Sequence, residues 1–430
     1  MKTVAFCTLG CKVNQYETEA MSELFKSKGY TLKKFEEKSD IYIINTCTVT
    51  ATGDKKSRQM IRRALHTNPD AIIAVAGCYA QVAPEEVAKI DGVSLIIGTN
   101  KKREIADIIE DYIKTQEKKT VIEDILKDKE YKEMQISSYE ERTRAFVKIE
   151  DGCNQFCSYC IIPYARGPVR SRTIENICAE ISKLAENGFK EVVLTGINIS
   201  SYGMDNGSNL AEVIKNVTQI SGIERIRLGS IEPRVLTEDF IQRISKITKL
   251  CNHFHISLQS GCNETLKRMN RKYTTEECLE CIENLRRYFD NPAITADVIA
   301  GFPGETDEEF EKTIAFLKTV KFSEAHIFAY SNRKGTRADT MPGQLDKATK
   351  EARSKKMTEL CLETQKEYMT NLVGKTAEVL FEREVNKGIF EGYMTNYVKV
   401  RVHSKTDISH KILPVKLTDT GVDFLMGELI

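Results

Sequence analysis

Cys153, Cys157 and Cys160 stand in the run Cys153-Asn154-Gln155-Phe156-Cys157-Ser158-Tyr159-Cys160, directly after a strand-like stretch at residues 145–150. Three thiolates spaced C-x3-C-x2-C can each hold one iron of a four-iron cluster, and no fourth cysteine follows nearby to hold the last. One iron is then left open to a further ligand. Zinc is the plainer alternative, but it usually takes paired C-x2-C or Cys/His sets that close a tetrahedron. Three more cysteines recur at one kind of place. Cys11 in Leu9-Gly10-Cys11-Lys12-Val13-Asn14, Cys47 in Asn45-Thr46-Cys47-Thr48-Val49 and Cys78 in Ala76-Gly77-Cys78-Tyr79 each follow a short β-rich run. In an open α/β sheet the crevice beyond the carboxyl ends of the strands is where ligands gather. Residues about 30 apart in sequence can therefore converge there, although buried core thiols would also fit.

The elements that must position these residues are legible as a pattern. Over residues 2–112, β-rich runs at 3–8, 41–45, 71–76 and 94–97 alternate with helical stretches at 13–28, 54–66, 84–90 and 101–112. That predicts an α/β domain with a doubly wound parallel sheet at 1–115. Residues 116–142 are strongly charged and are expected as a linker or a solvated helix. A second series at 143–368 offers six strands, near 145–149, 191–194, 225–228, 253–257, 294–299 and 325–329, with helices between them. Six βα units predict an open partial barrel whose site lies at the carboxyl ends of its strands. Those ends carry Thr195-Gly196-Ile197-Asn198, Ser230-Ile231-Glu232-Pro233, Gln259-Ser260-Gly261 and Gly301-Phe302-Pro303-Gly304. Residues 371–430 hold five short β-runs and turn signals, which predicts a small closed all-β barrel.

Charge narrows the partners. The net charge of +1 on 430 residues gives no global pull toward a polyanion, so nucleic acid would have to be met by local patches. Arg166, Arg170 and Arg172 crowd into seven residues beside the cluster run and suit phosphates or stacked bases. In the C-terminal barrel Lys375, Arg383, Lys399 and Arg401, with Tyr393 and Tyr397, could meet a single strand. No run of about 18 apolar residues is present, and the chain opens straight into a strand, so a cytoplasmic protein without membrane contact is expected. The other cysteines, including the Cys278/Cys281 pair on one helix face, read as core.

The C-x3-C-x2-C run resembles the signature of the radical S-adenosylmethionine enzymes, and nearly the whole chain resembles their methylthiotransferase branch. The resemblance implies two 4Fe-4S clusters, on Cys153, Cys157 and Cys160 and on Cys11, Cys47 and Cys78. The open iron of the first would chelate the amino and carboxylate groups of S-adenosylmethionine, whose reductive cleavage yields a 5′-deoxyadenosyl radical. Two molecules of S-adenosylmethionine are implied per turnover, with an electron donor such as flavodoxin or ferredoxin and no stable protein partner. Gly196, Asn198, Ser230, Glu232, Gln259 and Asp297 are the candidate cofactor contacts. The C-terminal barrel is similar to the TRAM RNA-binding domain. Thr8-Leu9-Gly10-Cys11-Lys12-Val13-Asn14 resembles the bacterial tRNA enzymes that act on N6-threonylcarbamoyladenosine beside the anticodon of tRNAs reading codons that begin with A. The isopentenyladenosine enzymes usually read Tyr-Gly-Cys-Gln-Met-Asn there, and those acting on a ribosomal protein Leu-Gly-Cys-Pro-Lys-Asn. Arg166, Arg170, Arg172 and Arg333 are candidate cations for the threonylcarbamoyl carboxylate. The alternatives are one of those other substrates or a zinc-stabilised, non-catalytic RNA-binding protein.

Overall fold

The computed structural model describes residues 2–49, 51–136 and 143–430. The last six residues of the charged stretch, 137–142, lie outside them.

The first domain is a wholly parallel sheet of β1 (Thr3–Thr8), β2 (Thr31–Lys33), β3 (Ile41–Thr46), β4 (Ile72–Gly77), β5 (Val93–Ile97) and β6 (Lys119–Val121), in the order β2-β1-β3-β4-β5-β6. Its helices are α1 (Lys12–Ser27), α2 (Ala51–Thr67), α3 (Cys78–Val82), α4 (Pro84–Ala88) and α5 (Ile105–Thr115). Ile41 and Ile43 pack into one apolar layer and Tyr42 and Ile44 into the other, so β3 is buried on both faces. This is why its sequence is a continuous apolar run rather than an alternating one. The order reverses at β1–β3, which places the ends of β1, β3 and β4 around one crevice.

The charged stretch is a correction to the linker expectation. Lys119–Val121 pairs with β5 as the sixth strand, Ile125 is buried, and Tyr131 Oη donates to the Lys148 carbonyl at 3.0 Å. Most of its charges face solvent, while Ile125, Tyr131 and the acids Asp128 and Glu133, which pair with Arg170 and Arg172, tie it to the second domain.

The second domain begins with β7 (Arg144–Lys148), β8 (Glu150–Asp151), α6 (Ile162–Arg166), β9 (Arg170–Ser171), α7 (Ile174–Glu186) and β10 (Glu191–Thr195). It continues through α8 (Leu210–Thr218), β11 (Arg225–Leu228), α9 (Glu238–Ser245), β12 (His253–Gln259), α10 (Asn263–Arg268) and α11 (Thr275–Tyr288). It closes with β13 (Ala293–Ala300), α12 (Asp307–Val320), β14 (Glu324–Ala329) and the 24-residue α13 (Lys347–Thr370). Two parallel three-stranded sheets, β11-β10-β7 and β12-β13-β14, are joined by the bridges Ile226–Leu250 and Ile231–Ile256, giving an open partial barrel of six strands. Helix starts are locally encoded: at α12 the Thr306 side chain accepts from the Glu309 N–H while Glu309 accepts from the Thr306 N–H.

β15 (Thr376–Asn386), β16 (Ile389–Met394), β17 (Lys399–His403), β18 (Ile412–Thr420) and β19 (Leu425–Leu429) form a closed barrel around Val379, Phe381, Val400, Val402 and Leu417. Arg225 clamps it to the second domain by donating to the carbonyls of Tyr393 and Glu378, each at 3.0 Å. The first domain is joined as firmly, since Tyr16 and Ala20 of α1 belong to the hydrophobic core of the partial barrel. No described helix is long and apolar enough to cross a membrane.

Candidate functional site

The run Cys153–Cys160 leaves β8 through Gly152, whose φ is +85°. A Cβ there would stand 1.9 Å from the Pro168 carbonyl oxygen, so only glycine lets the loop pass so close to the segment after α6. The Cys153 N–H donates to the Gly167 carbonyl at 3.0 Å. Around the triad, Asn198 Nδ2 lies 3.9 Å from Cys153 Sγ, 3.1 Å from Ser201 Oγ and 3.5 Å from Glu232 Oε1. Glu232 also accepts from Gln155 Nε2 at 3.3 Å and faces Arg271 Nη2 at 3.4 Å. Arg271, which no sequence motif singled out, donates through Nη1 to Cys157 Sγ at 3.3 Å. Glu150 underlies the loop after β10, accepting from the Asn198 N–H at 2.8 Å, and burial pushes its carboxyl well above the usual range. Its Oε2 fills the space that a Cβ at Gly196 would need, 2.6 Å away. The predicted contacts Gly196, Asn198 and Glu232 thus meet at the cysteine loop.

Cys11 precedes α1 as its N-cap, Cys47 follows β3 and Cys78 opens α3. The three converge as the sheet order requires. Gly10 (φ +101°) touches Cys47 so closely that a Cβ would lie 2.7 Å from its Sγ. One segment, Arg166–Gly167, connects the two triads. Arg166, at the end of α6 just after the cluster run, donates through Nε to Cys78 Sγ at 3.2 Å and through Nη2 to Asn14 Oδ1 at 2.6 Å. Its guanidinium also pairs with Glu17 and Asp151, while Lys148 Nζ reaches Glu17 Oε1 at 2.9 Å and Asp151 Oδ2 at 2.6 Å. Lys102 completes the group on Glu17. Burial alone would raise the Glu17 carboxyl, but Arg166, Lys102 and Lys148 hold it well below its ordinary value.

The donor chemistry fits iron-sulfur clusters. All six cysteines are free thiols. The buried Arg166 network holds three cations against two carboxylates, an excess of positive charge that lies against Cys78 and suits an anionic, thiolate-bound group. Burial pushes Cys47 up to about 11 and Cys153 and Cys160 up to about 12, so without metal these thiols stay protonated at neutral pH. Metal binding supplies the drive that deprotonates them.

Residues 147–317 match the Radical SAM superfamily, and residues 3–98 match the Uncharacterized protein family UPF0004. The chain is 43% identical, over 100% of its length and 97% of the relative's, to the threonylcarbamoyladenosine tRNA methylthiotransferase MtaB of Bacillus subtilis. It belongs to the tRNA methylthiotransferase family of radical S-adenosylmethionine enzymes. A tRNA-2-methylthio-N(6)-dimethylallyladenosine synthase of Moorella thermoacetica is 35% identical, over 100% of this chain and 98% of that one. Among solved structures, the radical S-adenosylmethionine methyltransferase TsrM of Kitasatospora setae shares the fold, with a TM-score of 0.59, 14% identity and coverage of 79% of this chain and 75% of that one.

Several residues expected to meet RNA or substrate in this methylthiotransferase do something else. Arg166 and Arg172 are fully buried, and Arg170 and Arg333 are buried nearly as deeply. Arg170 donates to the carbonyls of Arg166 and Asp128, Arg172 pairs with Glu180 at 2.7 Å and Glu133 at 2.9 Å, and Arg333 pairs with Asp54. Arg166 and Arg333 reach acids of the first domain, 149 and 279 residues away, while Arg170 and Arg172 tie the charged stretch to the second domain, so these arginines are buried structural links and not an RNA surface. Within the C-terminal barrel, Lys399 is paired with Asp423 at 2.7 Å and Arg401 with Glu391 at 2.8 Å, with the Arg401 guanidinium 4.0 Å over the Phe424 ring. Lys375 and Arg383 remain exposed. Gln259 ends β12 with φ +67°.

Ser230 lines a cavity of ≈ 400 Å³ where the three domains meet, and Asp297 lies behind its wall as the partner of His255. Its walls include Lys12 from the first domain, His253, His255, Thr295 and His326 from the second, and Tyr393 and Tyr397 from the third. Asp297 Oδ2 pairs with His255 Nε2 at 3.1 Å, and Thr295 Oγ1 sits 2.8 Å from His255 Nδ1 and 3.2 Å from His253 Nε2. Tyr393 and Tyr397 stack on each other, with Arg144 over both rings and Arg227 over Tyr397.

Proposed function

We propose that the chain methylthiolates carbon-2 of N6-threonylcarbamoyladenosine next to the anticodon of tRNA. The observation that carries the reading is the Arg166–Gly167 segment, which touches Cys78 of one triad and Cys153 of the other and so holds both beside one another. The relatives' substrate supports the choice of base. Carbon-2 of adenine bears an unactivated C–H bond that acid–base groups cannot break. A 4Fe-4S cluster on Cys153, Cys157 and Cys160 supplies, when bound, the electron that cleaves S-adenosylmethionine. A second cluster on Cys11, Cys47 and Cys78 is the proposed source of the sulfur; one molecule of S-adenosylmethionine would give the methyl group and a second the radical that removes the carbon-2 hydrogen, so two are required per turnover.

The chain's own residues bind and orient. Asn198, Glu232 and Arg271 form a polar wall beside Cys153 and Cys157 that suits the charged amino-acid end of S-adenosylmethionine. The base, turned out of the anticodon loop, enters between the triads as base-modifying enzymes require. Lys375 and Arg383 offer phosphate contacts on the third domain. Flavodoxin or ferredoxin is the proposed electron source, and the cytoplasm the proposed compartment.

Nucleoside analysis of tRNA from a deletion strain is the direct test. The threonylcarbamoyl nucleoside should persist without its methylthio group, and the purified protein should restore it. Unchanged methylthiolation in the deletion strain removes this assignment.

A further inference from the structure

The cavity at the meeting of the three domains holds one cation without a partner. Lys12 lines it, and among the described residues no carboxylate lies within ion-pair distance of its ammonium. Several other polar groups of the wall are engaged, His255 with Asp297 and Thr295, His253 with Thr295 and Lys399 with Asp423, and the carboxylate of Glu324 lines the cavity as well. Arg144 and Arg227 stack on the tyrosines and pair with Glu382 at 2.7 Å and Glu191 at 2.9 Å. A cation left uncompensated in a walled space is arranged for an anion that arrives with the ligand.

Position in the chain sharpens this. Lys12 follows Cys11, so the first residue past an N-terminal triad ligand faces the cavity. In adenine, carbon-2 and the carbon bearing N6 flank the same ring nitrogen. A base that presents carbon-2 to the N-terminal triad therefore carries its N6 substituent past the neighbouring wall. We propose that Lys12 is the specificity-determining residue that receives the carboxylate of the threonylcarbamoyl group, with this cavity as its pocket. The proposal rests on the functional reading above. The four arginines first expected in this role are already held by buried acids.

The test uses full-length protein with both clusters reconstituted anaerobically. Three anticodon stem-loops are compared, bearing threonylcarbamoyladenosine, its methyl ester or unmodified adenosine, by fluorescence-anisotropy competition and by single-turnover methylthiolation. Wild-type protein should prefer the free acid to the ester by roughly tenfold to a hundredfold, the range of a hydrogen bond to a charged group. Lys12→Gln should bring the two within about twofold while binding the unmodified loop as before, and Lys12→Arg should restore the preference, because charge is what is read. Iron content and absorption of each variant check that the neighbouring Cys11 site is intact. If Lys12→Gln keeps the wild-type preference with both clusters intact, the proposal is wrong while the reaction stands. If wild-type protein turns over no threonylcarbamoyl loop at all, the functional reading falls and this inference with it.

Discussion

The two cysteine triads solve the same problem by opposite routes. Cys153, Cys157 and Cys160 come from eight consecutive residues, whereas Cys11, Cys47 and Cys78 come from three strand ends and need the whole sheet to meet. Each triad has one sulfur held by a guanidinium, Arg271 on Cys157 and Arg166 on Cys78, at 3.3 and 3.2 Å. Yet Arg271 is anchored locally, by Tyr273 Oη at 3.0 Å and the Ser257 carbonyl at 3.0 Å, while Arg166 is anchored across domains by Glu17 and Asn14. A site built on one loop depends on that loop; a site built on a fold depends on the docking of its domains.

The sharpest way to separate them is by ligand removal. Replacing Cys153, Cys157 and Cys160 together by Ala should leave about four irons and abolish cleavage of S-adenosylmethionine. Replacing Cys11, Cys47 and Cys78 should leave cleavage and remove methylthiolation, and retention of about eight irons in that variant would defeat the second-cluster assignment. Next in size, Arg166→Met should cost about 3 kcal/mol or more of stability, because it breaks a buried ionic network that joins two domains. Arg271→Met should cost about 1–3 kcal/mol, with Glu232 still partnered by Gln155 and Asn198. Anaerobic thermal melts that rank the two in the reverse order would contradict the contrast drawn above.

A smaller and more local effect is expected at Gly10. Gly10→Ala places a Cβ 2.6 Å from Cys47 Cβ on a backbone of positive φ, so about half of the iron should be lost while cleavage of S-adenosylmethionine persists. Iron analysis beside a cleavage assay reads both. The smallest effect concerns the third domain. Lys375→Ala should weaken tRNA binding a few-fold and lower its salt dependence, Arg383→Ala, whose exposed guanidinium faces Glu391 at 3.5 Å, should do somewhat less, and Lys399→Ala, paired with Asp423 at 2.7 Å, least. Binding isotherms at several salt concentrations decide the order.

The same contrast explains what the sequence disclosed. Continuous apolar runs located the central strands of the first domain, which are buried on both faces, and short β-rich runs between helices located the six of the second, where β11 and β12 alternate apolar with polar residues. Two edge strands, Thr31–Lys33 and Lys119–Val121, escaped: three residues of mixed polarity carry no period. The long α13 escaped too, since its charges are spread around the helix and its buried residues, Arg353, Met357, Cys361 and Met369, do not make an apolar stripe. At the site the cysteine spacings were visible, but the roles of charge were not. Arg166, Arg170 and Arg172 look the same in sequence whether they face solvent or Glu17, Asp151 and Glu180, and only the fold brings those acids to them. Arg271 gave no signal, lying in an ordinary basic turn. Asn198 and Glu232 were readable because polar residues at strand ends in a barrel are placed there by topology.

Helix α1 carries an unusual density of duties within its first three turns. Cys11 caps it, Lys12 faces the cavity, Asn14 and Glu17 grip Arg166, and Tyr16 and Ala20 enter the neighbouring core. Successive residues on a helix are set about 100° apart, so inserting or deleting one residue there turns every later face away from its partner. A lineage that changes its substrate at this helix can therefore exchange side chains but not length. On the proposed role of Lys12, drift in recognition is confined to point substitutions there, while the frame that carries them is held in register by Arg166 on one side and the barrel core on the other.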